Sequence, residues 1–165
     1  SLGRETTITI TTCIYCFILN LTSCNYAATV QQARYILNIN MFSHISCIYA
    51  IYREYYYLAI VPGGVATTTI LYWRNRRSDC WERYLDITFV CLSFVYQSYF
   101  AISAQNMFYY FLSMLVGVSS FTIGKVIAYY NISNDDNLAW LSIYFHSGVH
   151  IFGNLANIIL YSGII

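Results

Sequence analysis

Charged side chains are scarce in this chain, which has 165 residues and 15 charges, eight basic and seven acidic. Charged residues make up 9% of the sequence and apolar residues 58%, whereas about a quarter of the residues are charged in an ordinary soluble domain. The composition therefore excludes that class of protein. The net charge is +1, so the chain also lacks the basic surface that binding to nucleic acid requires.

The few charges leave long uncharged stretches between them. Five such stretches have 18 residues or more: 6–33, 35–52, 55–73, 87–124 and 137–165. A helix that crosses a bilayer needs about 20 mostly apolar residues. The sequence therefore predicts an all-α protein, a polytopic transmembrane helical bundle formed by one domain over residues 1–165, with the lipid bilayer as its partner.

Three of the predicted spans are separated clearly by polar residues. They lie near 85–104, 107–130 and 138–161, and the 38-residue stretch is divided by a polar break at Ser103-Ala104-Gln105-Asn106. The N-terminal half allows more than one division. Segment 8–27 is apolar but rich in Thr and Asn, so it forms either a first span or an interfacial helix.

The region around Pro62, the only proline of the chain, also allows two divisions. One is a helix near 38–60, a turn at Pro62 and the two glycines after it, and a further helix over 62–73, because proline bends or stops a helix. The other is one merged helix over 55–73. We predict about five spans, and four to six are compatible with the sequence.

The basic residues indicate an orientation for the predicted bundle. Four of the eight crowd into residues 74–84, and Lys and Arg are enriched in the cytoplasmic loops of membrane proteins. The loop 74–84 is therefore predicted to be cytosolic. The same orientation places Lys125 near the cytosolic side and loop 131–137 on that side.

Polar residues recur inside the apolar spans at helical spacing. In the last span they follow steps of four, four, four and three residues: Ser142, His146, His150, Asn154 and Asn157. Stripes of polar and small residues also run along the two spans before it. Such spacing puts each stripe on one helix face, where polar groups commonly hydrogen-bond between membrane helices. We predict that the three faces meet inside the bundle, and packing is one interpretation of them.

The histidines support a second interpretation. The chain has three, and His146 and His150 form an i,i+4 pair that can place two imidazoles on one metal ion, with His44 from another span as the third ligand. Zinc in such a site makes hydroxide available near neutral pH, and Asp86 could act as the general base or orient the water. The alternative is that the histidines are hydrogen-bonded core residues and Asp86 is a solvated or ion-paired carboxylate.

One series of motifs resembles a known family. Thr69-x-x-x-Trp73 is followed thirteen residues later by Asp86, and His146-x-x-x-His150 lies in the last span. The series is similar, in a shortened and degenerate form, to the superfamily of seven-span membrane hydrolases that includes alkaline ceramidases, progestin/adipoQ receptors and Per1-like proteins. The resemblance implies a zinc-dependent amidase or esterase acting on lipid, in which both histidines bind the metal and Asp86 activates water.

The chain departs from that family at two positions of the motif. The family has a serine where this chain has Thr69 and a histidine ligand where it has Trp73, and tryptophan cannot bind zinc. Two functions remain. The first is a small multispan membrane protein without catalysis, a scaffold or a subunit of a complex with other membrane subunits. The second is an intramembrane zinc hydrolase that uses His44, His146 and His150 with Asp86. The tryptophan favours the first.

Overall fold

The computed structural model describes residues 28–75, 80–131 and 135–163, and the regular structure within them is helical. The helices are α1 (Val30–Tyr52), α2 (Tyr56–Asn75), α3 (Trp81–Ala101), α4 (Met107–Tyr130) and α5 (Asp136–Gly163). The prediction of an all-α bundle is confirmed. The helix predicted over 8–27 lies outside the described residues.

Consecutive helices run antiparallel. The α2 helix packs along α1 and α3, and α5 packs along α4 and α1. Two contacts show that α1 and α5 are parallel. Tyr35 of α1 contacts Tyr144 of α5. Ser46, which comes later in α1, bonds to Asn154, which comes later in α5. Thus α1, α3 and α5 point in one direction, and α2 and α4 in the other.

A three-residue turn joins α1 to α2. The backbone N–H groups of Arg53 and Glu54 donate to carbonyl groups of the last turn of α1, and Tyr55 N–H donates to Ala50 O. Glu54 has a φ of 65°, a left-handed conformation that costs a residue with a Cβ about 1–2 kcal/mol. The division into helices over 38–60 and 62–73 is therefore wrong, and α2 corresponds to the merged helix over 55–73.

Pro62 lies inside α2, so the turn predicted there is also wrong. Proline has no N–H, and the carbonyl of Leu58, four residues earlier, therefore loses its helical donor. The hydroxyl of Tyr161 on α5 donates to this carbonyl at 3.4 Å, and Gln97 Nε2 on α3 donates to Tyr161 Oη at 2.9 Å. A tertiary contact thus replaces the missing bond, and the helix continues through the proline.

Small residues bring α4 and α5 into close contact. A Cβ at Gly124 would lie 2.8 Å from the backbone oxygen of Ser142, and one at Gly148 would collide with Ser120. Three serine hydroxyls donate across this interface to backbone carbonyls, at 2.8, 2.8 and 2.9 Å: Ser113 to Phe152, Ser120 to Phe145 and Ser142 to Gly124. This close approach follows from the residues that the sequence places at every third or fourth position.

The interior of the bundle holds many polar side chains beside apolar ones such as Leu58 and Leu160, and many large apolar side chains are exposed. The buried polar residues come from all five helices and include Gln32, Asn40, Ser43, Ser46, Thr68, Thr69, Ser93, Gln97, Ser113, Ser147, His150, Asn154 and Asn157. The exposed large apolar residues include Ile48, Ile60, Leu92, Val95, Phe108 and Leu115. Of the described helices, only α4 is long and apolar enough by itself to cross a membrane.

Candidate functional site

The polar interior is organised around Asn154 of α5. Its Oδ1 accepts from Ser46 Oγ at 2.6 Å, and its Nδ2 donates to Ser43 Oγ at 3.0 Å and to the backbone oxygen of His150 at 2.6 Å. Ser43 in turn donates to Asn40, whose Nδ2 reaches the backbone oxygen of residue 66 on α2. One chain of hydrogen bonds therefore joins α5, α1 and α2.

Asp86 of α3 binds two hydroxyls of α2. Thr68 Oγ1 donates to Asp86 Oδ1 at 2.7 Å, and Thr69 Oγ1 donates to the same oxygen at 3.1 Å. Both threonines are buried and Asp86 is half-buried. The structure thus joins Thr69 and Asp86, two positions of the family motif, directly across neighbouring antiparallel helices.

The histidine pair of α5 lies in an aromatic environment. The ring of His146 lies 5.5 Å from that of Trp73 on α2, 5.3 Å from that of Phe121 on α4, and 5.6 Å from that of His150 (centroid distances). His150 is buried, and its Nε2 makes no hydrogen bond within the described residues. Trp73 therefore contacts the first histidine at the position where the family resemblance places a metal ligand.

The third predicted ligand points elsewhere. His44 lies on the exposed side of α1, whereas His150 is buried and His146 is half-buried. Within residues 28–75, 80–131 and 135–163, no three His, Cys, Asp or Glu side chains are grouped so that they could hold a metal ion. The structure thus brings His146 and His150 together, but not with His44.

The predicted stripe on α5 faces the interior, because Asn154, Asn157 and His150 are all buried and Ser142 bonds to α4. Sequence reasoning missed the matching stripe on α1, which consists of Asn40, Ser43 and Ser46. Its steps of three residues are visible in the sequence, so helical spacing within residues 30–52 is the signal for this face.

Two further interior residues were also missed. Thr68 precedes Thr69 of the family motif, and its shorter bond to Asp86 has no sequence signal. Tyr161 is one of 18 tyrosines, and its pairing with the carbonyl of Leu58 depends on a proline in another helix. These contacts can be found only in three dimensions.

In comparisons with known proteins, no family model, no curated protein and no solved structure matches the chain.

Proposed function

We propose that the chain is a small multispan integral membrane protein that acts without catalysis, as a scaffold or as a subunit of a larger membrane complex. The observation that carries the proposal is the distribution of side chains, with many polar groups buried between the helices and many large apolar groups exposed. In water, exposure of so many large apolar side chains would favour association. In a bilayer they contact lipid, and the polar groups hydrogen-bond between helices.

The helix lengths support a bilayer as the solvent. The five helices have 23, 20, 21, 24 and 28 residues, which corresponds to roughly 30–42 Å at 1.5 Å per residue. The hydrocarbon core of a bilayer is about 30 Å thick. Each helix is therefore long enough to cross it, although α4 alone has the hydropathy of an isolated span. Each of the other four contributes buried polar residues to the interior.

The basic residues support the same arrangement. Because the helices alternate in direction, the start of α1, the end of α2, the start of α3 and the end of α4 lie at one end of the bundle. Arg34, Arg74, Arg83 and Lys125 belong to that end, and Arg53 belongs to the other. Such an imbalance favours the basic end, with loop 74–84, as the cytosolic one.

The proposal of a function without catalysis rests on the hydrogen bonds that the interior polar groups make. Asn154 and the α1 serines bond to each other, and Asp86 accepts from two threonines. These contacts join one helix to another. Trp73 occupies the position beside His146, and His44 faces away from the interior. The interior thus supplies helix contacts rather than a water-activating centre.

Membrane extraction and cysteine labelling test the proposal. The protein should stay in the membrane pellet after alkaline carbonate treatment. In a variant without the six native cysteines, Cys80 restored alone should react with a membrane-impermeant maleimide only after permeabilisation, and Ser103→Cys should react in intact cells. Release of the protein by carbonate would contradict the membrane assignment. Equal labelling at both positions in intact cells would contradict the orientation.

A second candidate, the intramembrane zinc-dependent lipid amidase or esterase, is favoured by one observation. The structure brings Thr69 to Asp86 and Trp73 to His146, so the motif positions of the family resemblance pair across helices. Zinc content of the detergent-purified protein discriminates between the two functions. The hydrolase predicts bound zinc that is lost in His146→Ala and His150→Ala. The non-catalytic function predicts equally low zinc in all three proteins.

A further inference from the structure

An open groove lies on the outer surface of α5, at the basic end of the bundle. Its volume is about 480 Å³, and the residues that line it belong to the first turns of the helix: Asn137, Leu138, Trp140, Leu141 and Tyr144. Leu138, Leu141 and Tyr144 are exposed, so the groove is accessible from outside the bundle. Pockets for small ligands have volumes of about 300–1,000 Å³. The groove therefore has room for a small chemical group.

Two aromatic rings of the groove are held in place by a third ring from α1. Tyr35 meets Tyr144 at 5.3 Å and Trp140 at 6.2 Å between ring centroids, edge-on in both cases. The rings of Trp140 and Tyr144 are 5.7 Å apart, and their planes differ by 31°. A cation within about 6 Å of a ring centroid is attracted by the negative face of the ring. The groove thus presents fixed rings to which a cation can bind.

The charges beside the groove also favour a cation. Asp135 and Asp136 are exposed directly before it, and Asp135 Oδ1 accepts from the backbone N–H of Asn137 at 2.8 Å. This bond places the carboxylate at the edge of the groove. Apart from the amide of Asn137, the lining consists of aromatic and aliphatic side chains. An ammonium group with N–H donors would find few acceptors there, whereas a methylated ammonium group needs none.

The groove lies at the depth where the proposed membrane function expects lipid headgroups. Trp140 comes four residues after the first residue of α5, Asp136, which corresponds to roughly 6 Å along the helix. The 28 residues of α5 span roughly 42 Å, and the hydrocarbon core is about 30 Å thick. A centred helix therefore extends about 6 Å beyond the core at each end. Trp140 thus lies at the border between hydrocarbon and headgroups.

Arg34 supplies the opposite charge on the neighbouring helix. It precedes Tyr35 and is exposed, and its side chain makes no hydrogen bond or ion pair within residues 28–75, 80–131 and 135–163. Because Tyr35 contacts Tyr144, the backbone of Arg34 lies almost one turn deeper than that of Trp140. The phosphate of a phospholipid lies between its glycerol and its terminal amine. The order of the groove and Arg34 matches the order of these two charges.

We infer that the groove binds the headgroup of a phosphatidylcholine lipid, with the trimethylammonium group against Trp140 and Tyr144 and the phosphate on Arg34. The inference rests on the proposed membrane function. The lipid belongs to the leaflet at the basic end of the bundle. It bridges α1 and α5 at the level where Tyr35 already joins them.

Native mass spectrometry of the detergent-purified protein tests this preference. Dioleoyl phosphatidylcholine, phosphatidylethanolamine and phosphatidylglycerol share their acyl chains and differ only in the headgroup. The Kd of the first bound lipid should be lowest for phosphatidylcholine. Loss of the attraction between the cation and the ring should raise this Kd roughly 5–30-fold in Trp140→Leu and roughly 2–5-fold in Tyr144→Leu. Binding of phosphatidylglycerol, which has no cation, should stay unchanged in both variants.

Two further variants separate the groove from general effects of the membrane interface. Trp81 is 65% exposed at the start of α3, at the same end of the bundle but outside the groove. Aromatic residues at this level also act as simple interfacial anchors. Trp81→Leu should therefore leave the Kd for phosphatidylcholine unchanged. Arg34→Gln should raise the Kd for phosphatidylcholine and phosphatidylethanolamine by the same factor, since both carry the phosphate.

Three outcomes would overturn the inference. Equal Kd values for phosphatidylcholine and phosphatidylethanolamine would show that the methylated ammonium group is not recognised. Tightest binding of phosphatidylglycerol would show that the basic residues select an anion. An equal effect of Trp81→Leu and Trp140→Leu would show that the groove is not the site.

Two measurements guard the interpretation. Thermal unfolding without lipid shows whether each variant is folded, and Tyr144→Leu, which changes an exposed ring, carries the test if Trp140→Leu unfolds. Carbonate extraction reports separately on the membrane assignment. A protein that stays in the membrane pellet but shows no headgroup preference would refute this inference alone.

Discussion

The close contact between the backbones of α4 and α5 at Gly124 leads to a sharp prediction, because the chain offers a matched pair of helical glycines. A Cβ at Gly124 of α4 would lie 2.8 Å from Ser142 O and 3.0 Å from the backbone N of His146. A Cβ at Gly153 of α5 would meet no heavy atom within 4 Å. Gly124→Ala and Gly153→Ala therefore add the same methyl group to a full site and to an open one.

The expected difference can be worked from known magnitudes. Alanine is more favourable than glycine inside a helix by about 1 kcal/mol, and Gly153→Ala should gain up to that amount. Gly124→Ala has the same gain, but the methyl group must push two helix backbones apart, and overpacking costs about 1–3 kcal/mol. Separation also weakens the bond from Ser142 Oγ to Gly124 O, worth about 0.6 kcal/mol. The two variants should differ by roughly 2–4 kcal/mol.

Thermal unfolding in detergent measures this difference. For a protein of this size, 1 kcal/mol corresponds to about 2–4 °C in Tm, so Gly124→Ala should unfold roughly 5–15 °C below Gly153→Ala. The contacts at Gly124 are with backbone atoms, and a change of side-chain rotamer cannot relieve them. Equal Tm values for the two variants would refute the reasoning, because α4 and α5 would then be further apart than the structure places them.

Three more substitutions test individual contacts, each by the free energy of unfolding in detergent. Asn154→Leu should destabilise the protein by about 1–3 kcal/mol, because it removes two hydrogen bonds to α1. The control Thr122→Ala loses only a bond within its own helix and should change stability by less than about 0.5 kcal/mol. Tyr161→Phe should cost about 1–2 kcal/mol, and less in a Pro62→Ala background, where the N–H of residue 62 can bond to the carbonyl of Leu58 and only the bond from Gln97 is lost; additive effects in this double-mutant cycle would contradict the replacement of the missing bond. Glu54→Gly should stabilise the protein by about 1 kcal/mol, because glycine adopts a positive φ without strain, and an unchanged stability would argue against that conformation.

The C-terminal half of the fold could be predicted from the sequence because local signals agree there. The spans predicted near 85–104, 107–130 and 138–161 correspond to α3, α4 and α5. Each boundary coincides with polar residues next to a long apolar stretch. The interior face of α5 followed from helical spacing alone, since residues at steps of three and four share a face whatever the tertiary structure is.

The N-terminal half could not be predicted, because the deciding interactions are tertiary. Proline normally ends a helix, and nothing near Pro62 shows that Tyr161, about a hundred residues later, supplies a donor to Leu58 O. The turn at Glu54 has no glycine to mark it, although its φ is positive. The exposed position of His44 also depends on which side of α1 the other helices cover.

The hydrogen bonds of α5 indicate why this helix holds the bundle together. Ser142 bonds it to α4, Asn154 bonds it to α1, and Tyr161 bonds it to α2 and accepts from Gln97 of α3. The other four described helices thus all hydrogen-bond to α5, at positions from Ser142 to Tyr161. In lipid such groups have no water as an alternative partner. The last helix of the described residues therefore satisfies polar groups of α1 and α3 and the backbone carbonyls of Leu58 and Gly124.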